Sequence, residues 1–442
     1  MEQTLNILTT VFYFVITIGI LVFIHEFGHF AAAKLTGMRV DRFSIGFPPR
    51  VFGKRVGDTD YCVSLIPIGG YVKIAGMIDE SFDTEFLKSE AQPWEFRAKP
   101  MWARMFVISA GVVMNILLAI LIFWGINFAY GKYLWQTTEV GFVMEGSVAD
   151  RATIRPGDRI TTINHKPVTY WQEVLSFAYV ENLGSDVTVQ LERNGNLETL
   201  SIERSSIPEP SMEGFGIAPK YLASVVHTVE PGRSAEALGL QRGDAIVALN
   251  DTLVFTHSRV VQIIQASVGK ELKIEWQREG EILSGVTTPG EDGRIGITIG
   301  SEYTGPVTHM RYNLLEALPE GAKDIAAASQ LFLKAIWQVM TGKVPLSESI
   351  GGPIKIAQIA TQTAEFGIGS FLGFMALLSM SLAILNILPF PALDGGHLTF
   401  LLYEAVFRRE IPHRVKLALQ QAGFFLLLAF MVFIIYNDIA NF

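Results

Sequence analysis

From Ile7 to Ile24 the chain carries no charged residue, and the next five residues are His25-Glu26-Phe27-Gly28-His29. So apolar a run can cross about 30 Å of hydrocarbon, where the backbone must satisfy its own hydrogen bonds and is therefore helical. On that helix His25 and His29 stand one turn apart on one face, with Glu26 beside them. Two neutral imidazoles in that arrangement suit zinc, and the carboxylate can take a proton from water held there. Three ionisable side chains at the end of an apolar span are costly unless paired or metal-bound. The competing reading is a chance HExxH in a chain with eight histidines. Metal-dependent hydrolysis at a membrane is what the pattern predicts.

Half the residues are hydrophobic and 18% are charged, too apolar for an ordinary soluble chain of 442 residues. The excess sits at the two ends, in Ile7–Leu35, Met105–Ala129, Gly367–Leu388 and Leu417–Tyr436, each long enough to span. Tyr133 to Ser301 reads as soluble protein, so the chain should have four spans with a globular insert between the second and third. Glu2 stands where a signal peptide has basic residues, and the first apolar run ends in HEFGH rather than small residues, so this span should be retained. The first connection carries Lys34, Arg39, Arg42, Arg50, Lys54, Arg55, Lys73, Arg97, Lys99 and Arg104, and the last carries Arg408, Arg409, Arg414 and Lys416. The positive-inside rule then puts both termini and the insert outside the cytoplasm. Cys62 is the single cysteine, which excludes an intrachain disulfide and a cysteine metal cluster. A net charge of −8 argues against nucleic acid as a partner.

The insert repeats itself. Gly146-Ser147, Gly157-Asp158-Arg159-Ile160 and Ile163-Asn164 recur at Gly232-Arg233, Gly243-Asp244-Ala245-Ile246 and Leu249-Asn250, always 86 residues later. Each copy continues into a helical stretch (Trp171–Glu181, Ser258–Ala266), an alternating strand (Val187–Glu192, Leu272–Trp276) and a turn (Asn194-Gly195, Glu279-Gly280). These stretches resemble PDZ domains, which bind peptides by adding a strand to a sheet edge. The alternative is that the copies only restrict access or pack on the membrane part. Val140-Gly141-Phe142-Val143 is the expected carboxylate-binding loop of the first copy, and Ala223-Ser224-Val225-Val226 its glycine-free counterpart in the second. Beyond the repeats, Leu314–Met340 is predicted helical, with Leu318, Ile325, Phe332, Ile336 and Met340 apolar. Lys323, Asp324 and Lys334 interrupt it, so it should lie on the membrane surface.

A catalytic zinc usually takes three protein ligands, and no third ligand follows His29 at short spacing. It must come from the same membrane depth, roughly 27 Å along the first span from Ile7. The third span breaks there, at Asn386-Ile387-Leu388-Pro389-Phe390-Pro391-Ala392-Leu393-Asp394-Gly395-Gly396-His397. Irregular backbone at that depth has to be buried in protein or line a cavity, and a carboxylate there needs a partner. Asp394 is therefore the candidate third ligand rather than only a helix cap, and His397 is its rival.

HEFGH in a first span, N-x-x-P-x-P-x-LDGG in a third and two PDZ-like copies between them resemble the site-2 protease family, nearest its bacterial RseP-type branch, the regulator-of-sigma-E proteases. The resemblance covers essentially the whole chain. It implies an intramembrane zinc metalloprotease of the bacterial inner membrane that cleaves membrane-spanning segments of single-span proteins, anti-sigma factors and remnant signal peptides among them. It implies His25, His29 and Asp394 as zinc ligands, Glu26 as the catalytic acid/base, and Asn386, Pro389 and Pro391 as part of a substrate-binding stretch. Phe43–Phe47 and Ser64–Lys73 also look like the family, whose counterpart is a β-hairpin re-entering the membrane beside the active site. Gly69, Gly70 and Tyr71 are then further substrate-binding candidates, because an extended segment paired to a strand edge keeps its backbone hydrogen-bonded. One departure is Gly111-Val112-Val113-Met114-Asn115, where family members often have Gly-Pro.

The expected fold is a polytopic α-helical membrane protein with four transmembrane helices, a membrane-associated β-hairpin region and two inserted PDZ-like α+β domains. The expected divisions are 1–36, 37–103, 104–131, 132–220, 221–305, 306–366, 367–397 and 398–442. In the expected mechanism Glu26 moves the proton and Asn386 donates to the substrate backbone or oxyanion. Expected partners are single-span substrates, membrane lipid and peptide ligands of the PDZ-like copies. The rival functions are a membrane-anchored PDZ scaffold with a non-catalytic metal site, which would not need Glu26, and a metal transporter, which would need more polar spans.

Overall fold

A computed structural model of the chain describes residues 2–77, 89–176, 186–203, 215–342 and 351–440. Two compact units emerge, Met1–Gly131 with Arg311–Phe442, and Lys132–Met310. Among the described residues four helices are long and apolar enough to cross a membrane: Ile7–Leu35, Met101–Tyr130, Ile368–Ile387 and His413–Ile439. They coincide with the apolar stretches of the sequence.

The first is part of α1 (Glu2–Leu35), which ends where Gly37 at φ +68° lets Met38 donate back to the Ala33 carbonyl at 2.8 Å. The chain then forms β1 (Val40–Val56) and β2 (Thr59–Ile74). This is more than the expected simple hairpin. Phe43 of β1 pairs with Val72 on one side and with Tyr61 on the other, while Lys54 pairs with Tyr61 and Val56 with Thr59. Gly46, at φ +92°, and Pro48-Pro49 separate the two paired halves of β1. The ribbon thus doubles into a small sheet, and its Gly69–Ile74 edge is paired only to β1 among the described residues. Phe43 packs on Phe23 and Phe30 of α1, with ring centroids 6.0 and 5.3 Å away. The sheet therefore lies along the first span. In α2 (Met101–Tyr130), Ala110 approaches α1 so closely that a Cβ on Gly28 would stand 2.5 Å from its carbonyl oxygen.

The second unit begins and ends in one two-stranded ribbon, β3 (Lys132–Trp135) with β16 (Val307–Met310), where Tyr133 stacks on His309 at 4.3 Å. Between them the repeat of the sequence is a repeat of structure. The first copy contains β4 (Val140–Val143), α3 (Val148–Arg151), β5 (Arg159–Ile163), β6 (Lys166–Pro167), α4 (Trp171–Ser176), β7 (Val187–Arg193), β8 (Asn196–Ile202) and β9 (Ile217–Pro219). The second has β10 (Leu222–Val229), α5 (Ser234–Leu238), β11 (Ala245–Leu249), β12 (Thr252–Leu253), α6 (His257–Ala266), β13 (Leu272–Arg278), β14 (Glu281–Thr287) and β15 (Ile297–Tyr303). The predicted helix of the first copy is seen as far as Ser176, and its continuation lies outside the described residues. Asp158 and Asp244 are buried, and each accepts two bonds from one arginine, Arg193 or Arg278, at 2.7–2.8 Å. Each also accepts a backbone N–H three residues earlier, from Arg155 or Gln241. Neither expected carboxylate-binding loop is a loop. Val140–Val143 is strand β4, paired to β9, and Ala223–Val226 lies inside β10, between β11 and β15. Left-handed turns occur instead at Phe215-Gly216-Ile217 and Ile295-Gly296-Ile297, with the glycines at φ +76° and +84°. In both, the apolar residue before the glycine is buried and its carbonyl accepts from Ala149 or Ala235.

Returning to the first unit, α7 (Leu314–Met340) starts with a capping box between Asn313 and Glu316. Its interior face is held by protein. Gly321 abuts the backbone of Trp124, Asn127 donates to Asp324 at 2.8 Å, and Ile325, Ala328 and Phe332 join a cluster with Ala119, Ala376 and Met380. Leu331, Leu333, Trp337 and Met340 remain exposed, so α7 is apolar on more than the face it buries. The N-terminus of α8 (Pro353–Glu365) is closed by the Asp438 carboxylate, which accepts from Gly352, Ile354 and Lys355. Asp438 belongs to α11 (His413–Ala440), which follows α9 (Ile368–Ile387) and α10 (Asp394–Phe407).

Candidate active site

The sequence expectation places five groups at one point, and three helices deliver them. His25, Glu26 and His29 come from α1, Asp394 opens α10, and Asn386 lies in the last turn of α9. A polyproline turn joins α9 to α10, and its return depends on paired glycines. A Cβ on Gly395 would collide with the Ile387 and Leu388 carbonyls, and one on Gly396 with that of Phe390. Gly423 of α11 lies against the Pro391 carbonyl, which fixes the turn from outside. Pro389 and Pro391 thus shape the turn that presents Asp394.

Asp394 Oδ2 lies 3.2 Å from His25 Nε2 and 3.3 Å from His29 Nε2, and the two imidazole nitrogens are themselves 3.3 Å apart. An ion bound tetrahedrally at about 2.0–2.1 Å has ligand atoms about 3.3 Å from one another, so this triangle is one face of such a tetrahedron. Asp394 Oδ2 is buried and accepts no hydrogen bond, which is the condition of an atom reserved for a cation. Space is kept for the rings by Gly111 of α2, where a Cβ would come within 2.8 and 2.9 Å of His25 Cε1 and Nε2 and closer still to His29 Nε2. The donor set of two nitrogens and one oxygen, with a fourth position open, fits a catalytic zinc.

The outer partners fix the rings. His29 Nδ1 donates to the Val107 carbonyl at 2.8 Å, which leaves Nε2 as a lone-pair donor. His25 Nδ1 is 3.3 Å from the amide of Asn115, a residue with no exposed surface, and Asn115 Oδ1 has no other partner. With the oxygen turned toward the ring, Nδ1–H donates to it and His25 Nε2 is likewise free. Ser379 of α9 donates to the Asn115 carbonyl at 2.8 Å, tying the third span to this point.

Glu26 faces the doubled sheet. A Cβ on Gly70 would stand 3.1 Å from Glu26 Cγ and 2.9 Å from a Val22 methyl, so β2 passes directly over the glutamate. Gly69 is seated against the Phe47 ring, and the Tyr71 hydroxyl accepts from Arg42 at 3.1 Å. Asn386 Nδ2 is 3.5 Å from His25 Nε2. His397 turns away, with its ring 2.9 Å from the Gln420 amide nitrogen, which leaves Asp394 as the group beside the histidines. Sequence reasoning assigned no role to Gly111, Val107 or Asn115. Asn115 could have been found as an isolated amide in an otherwise apolar span, whereas the roles of a glycine and a carbonyl need coordinates.

The chain is similar over nearly its whole length to known proteins. The chain is 35% identical to the regulator of sigma E protease of Haemophilus influenzae, over 96% of this chain and 97% of that protein. It is 31% identical to regulator of sigma-E protease RseP of Escherichia coli K12, over 97% and 98%. With RseP of Salmonella typhimurium the identity is 32%, over 99% and 100%. Residues 13–430, from the first span to the last, match the model of peptidase family M50, and the chain belongs to that family.

Proposed function

We infer that this chain is an intramembrane zinc metalloprotease that hydrolyses peptide bonds in the membrane-spanning segments of single-span proteins. The observation that carries the reading is the triangle of His25, His29 and Asp394, with Glu26 beside it on a membrane-spanning helix. A scaffold with a purely structural metal would not need that glutamate. Zinc, when bound, supplies the Lewis acidity that polarises a scissile carbonyl and makes water a nucleophile near neutral pH. Glu26 then accepts the proton of the attacking water and returns it to the leaving amine. The Asn386 amide donates to the oxygen on which negative charge develops, at a position fixed by the end of α9 and the proline turn. The Gly69–Tyr71 edge of β2 offers backbone partners to a substrate strand. A helix must unwind to be cut, and edge pairing compensates the groups it releases.

The favoured site is the bacterial inner membrane, with both termini and the insert outside the cytoplasm, as the basic connections indicate. Substrates of the anti-sigma-factor or remnant-signal-peptide type are those the family resemblance suggests. The two insert copies are read as PDZ-like domains. Phe215-Gly216-Ile217 and Ile295-Gly296-Ile297 are their carboxylate loops, each leading into a strand, β9 or β15.

The test uses purified full-length protein in detergent with a single-span substrate bearing a short outer tail. Chelator-sensitive cleavage should vanish in Glu26→Gln with zinc retained, and in Asp394→Asn with zinc weakened. Cleavage surviving in Glu26→Gln would overturn the assignment of the base.

A further inference from the structure

At the Met101 end of α2, polar side chains from three helices line a pocket separate from the candidate active site. Glu404 of α10 is 5% exposed and holds two cations, Arg104 of α2 at 3.4 Å and Lys416 of α11. Glu410 also lines the pocket, so both signs of charge are present beside Arg104 and Lys416. Two buried atoms there have no partner among the described residues: Arg104 Nε, a donor, and Gln420 Oε1, an acceptor. Gln420 is itself 5% exposed, and its amide nitrogen is engaged with His397. His413, the first residue of α11, adds a helix N-terminus to the same pocket. Ile108 and Phe400 give it apolar walls.

Burying an unpaired donor and an unpaired acceptor is costly, and the cost disappears if a ligand answers both. A zwitterionic ligand with anionic oxygen, an N–H donor and an apolar body answers both and suits a lining of mixed charge with apolar walls. Both α2 and α11 begin here, so the pocket opens at the end of two membrane spans, where lipid headgroups lie. Val406 and Phe407, the last residues of α10, are 72% and 60% exposed beside it, as surface for acyl chains. We propose that this pocket binds the headgroup of a phosphatidylethanolamine-type phospholipid. The phosphate is held by Arg104, Lys416 and the start of α11, and the ammonium donates to Gln420 Oε1. This assignment does not depend on the protease reading.

The experiment is phospholipid binding by the full-length protein, purified in detergent and exchanged until bulk lipid is gone. Residual phospholipid is measured by mass spectrometry, followed by titration with spin-labelled phosphatidylethanolamine. The parent should retain phosphatidylethanolamine and bind it saturably. Gln420→Leu, which keeps every charge, should weaken binding about tenfold, as should the paired variant Arg104→Gln with Glu404→Gln. Phosphatidylcholine, which has the phosphate but no N–H, should bind about tenfold more weakly than phosphatidylethanolamine. Each variant is checked by gel filtration, and if the paired variant does not fold, Gln420→Leu decides alone. The proposal is overturned if the parent shows no saturable binding or Gln420→Leu binds like the parent. It is equally overturned if phosphatidylcholine binds as well, or if inorganic phosphate or free phosphoethanolamine competes as strongly as the lipid, which would mark a soluble-anion site.

Discussion

Gly111→Ala is the sharpest test of how the metal site is built, because it adds one methyl group and replaces no proposed ligand. The new Cβ would stand 2.8 Å from His25 Cε1 and 2.9 Å from His25 Nε2, and nearer still to His29 Nε2. Carbon reaches ordinary van der Waals contact at about 3.5 Å, so the His25 ring must retreat by roughly 0.6 Å and the His29 ring farther, or the helices must part. The second route gives up the close packing of Gly28 of α1 on the Ala110 carbonyl. Metal geometry tolerates about 0.2 Å, and losing an outer partner alone costs about 10–100-fold in affinity. We therefore expect Gly111→Ala to lose zinc affinity by at least about 100-fold, with activity falling at least as far. Gly125 of the same helix, which has nothing within 4 Å of its Cβ position, is the control. Gly125→Ala should bind zinc like the parent and be as stable or slightly more so. Zinc is measured by metal analysis after dialysis against a graded chelator, and folding by thermal unfolding in detergent. A folded Gly111→Ala that held zinc with parental affinity would refute the claim that this glycine makes room for the ligands.

Three further outcomes follow. Asn115→Leu removes the amide beside His25 Nδ1 and should weaken zinc about 10–100-fold while Glu26 stays in place, read by the same chelator series. Asp244→Asn breaks a buried, doubly bonded arginine pair in the second insert copy and should destabilise that copy by about 2–3 kcal/mol. Hydrogen exchange in the full chain should then quicken in β11 and β13 but not in β5 and β7. At the exposed Asp292, the bond from Arg233 at 2.7 Å holds the carboxyl below its ordinary range. Its contribution to insert stability is therefore present above the ordinary aspartate value and lost as pH falls through the depressed one. Asp292→Asn should remove this acid-side contribution, seen as a flatter stability profile below about pH 4.

How much was legible in the sequence depended on the range of the forces involved. The spans were legible because hydrocarbon permits few backbone solutions, so an apolar run of sufficient length is already a structural statement. The meeting of His25, His29 and Asp394 was legible for a related reason: membrane depth is a coordinate that can be counted along a helix, and two motifs at equal depth are neighbours or nearly so. Where no such ruler existed, the reading fell short. The doubling of β1 and β2 turns on Gly46 and Pro48-Pro49, which a strand pattern with period two does not register. The sequence places a carboxylate-binding loop at Val140–Val143, where Gly141 stands, and the structure has a strand there. That glycine serves a close approach to the Pro219 carbonyl and Lys220, while the left-handed turns lie at Gly216 and Gly296. For α7 the sequence reads the charges at Lys323, Asp324 and Lys334 as a reason for the helix to lie on the membrane surface. Asp324 meets Asn127 of the second span, so a charge in that helix is also a reason to pack against protein. In an apolar solvent an isolated polar group is costly and a paired one is adhesive. Sequence shows that such a group exists, and only the neighbouring helix shows which of the two it is.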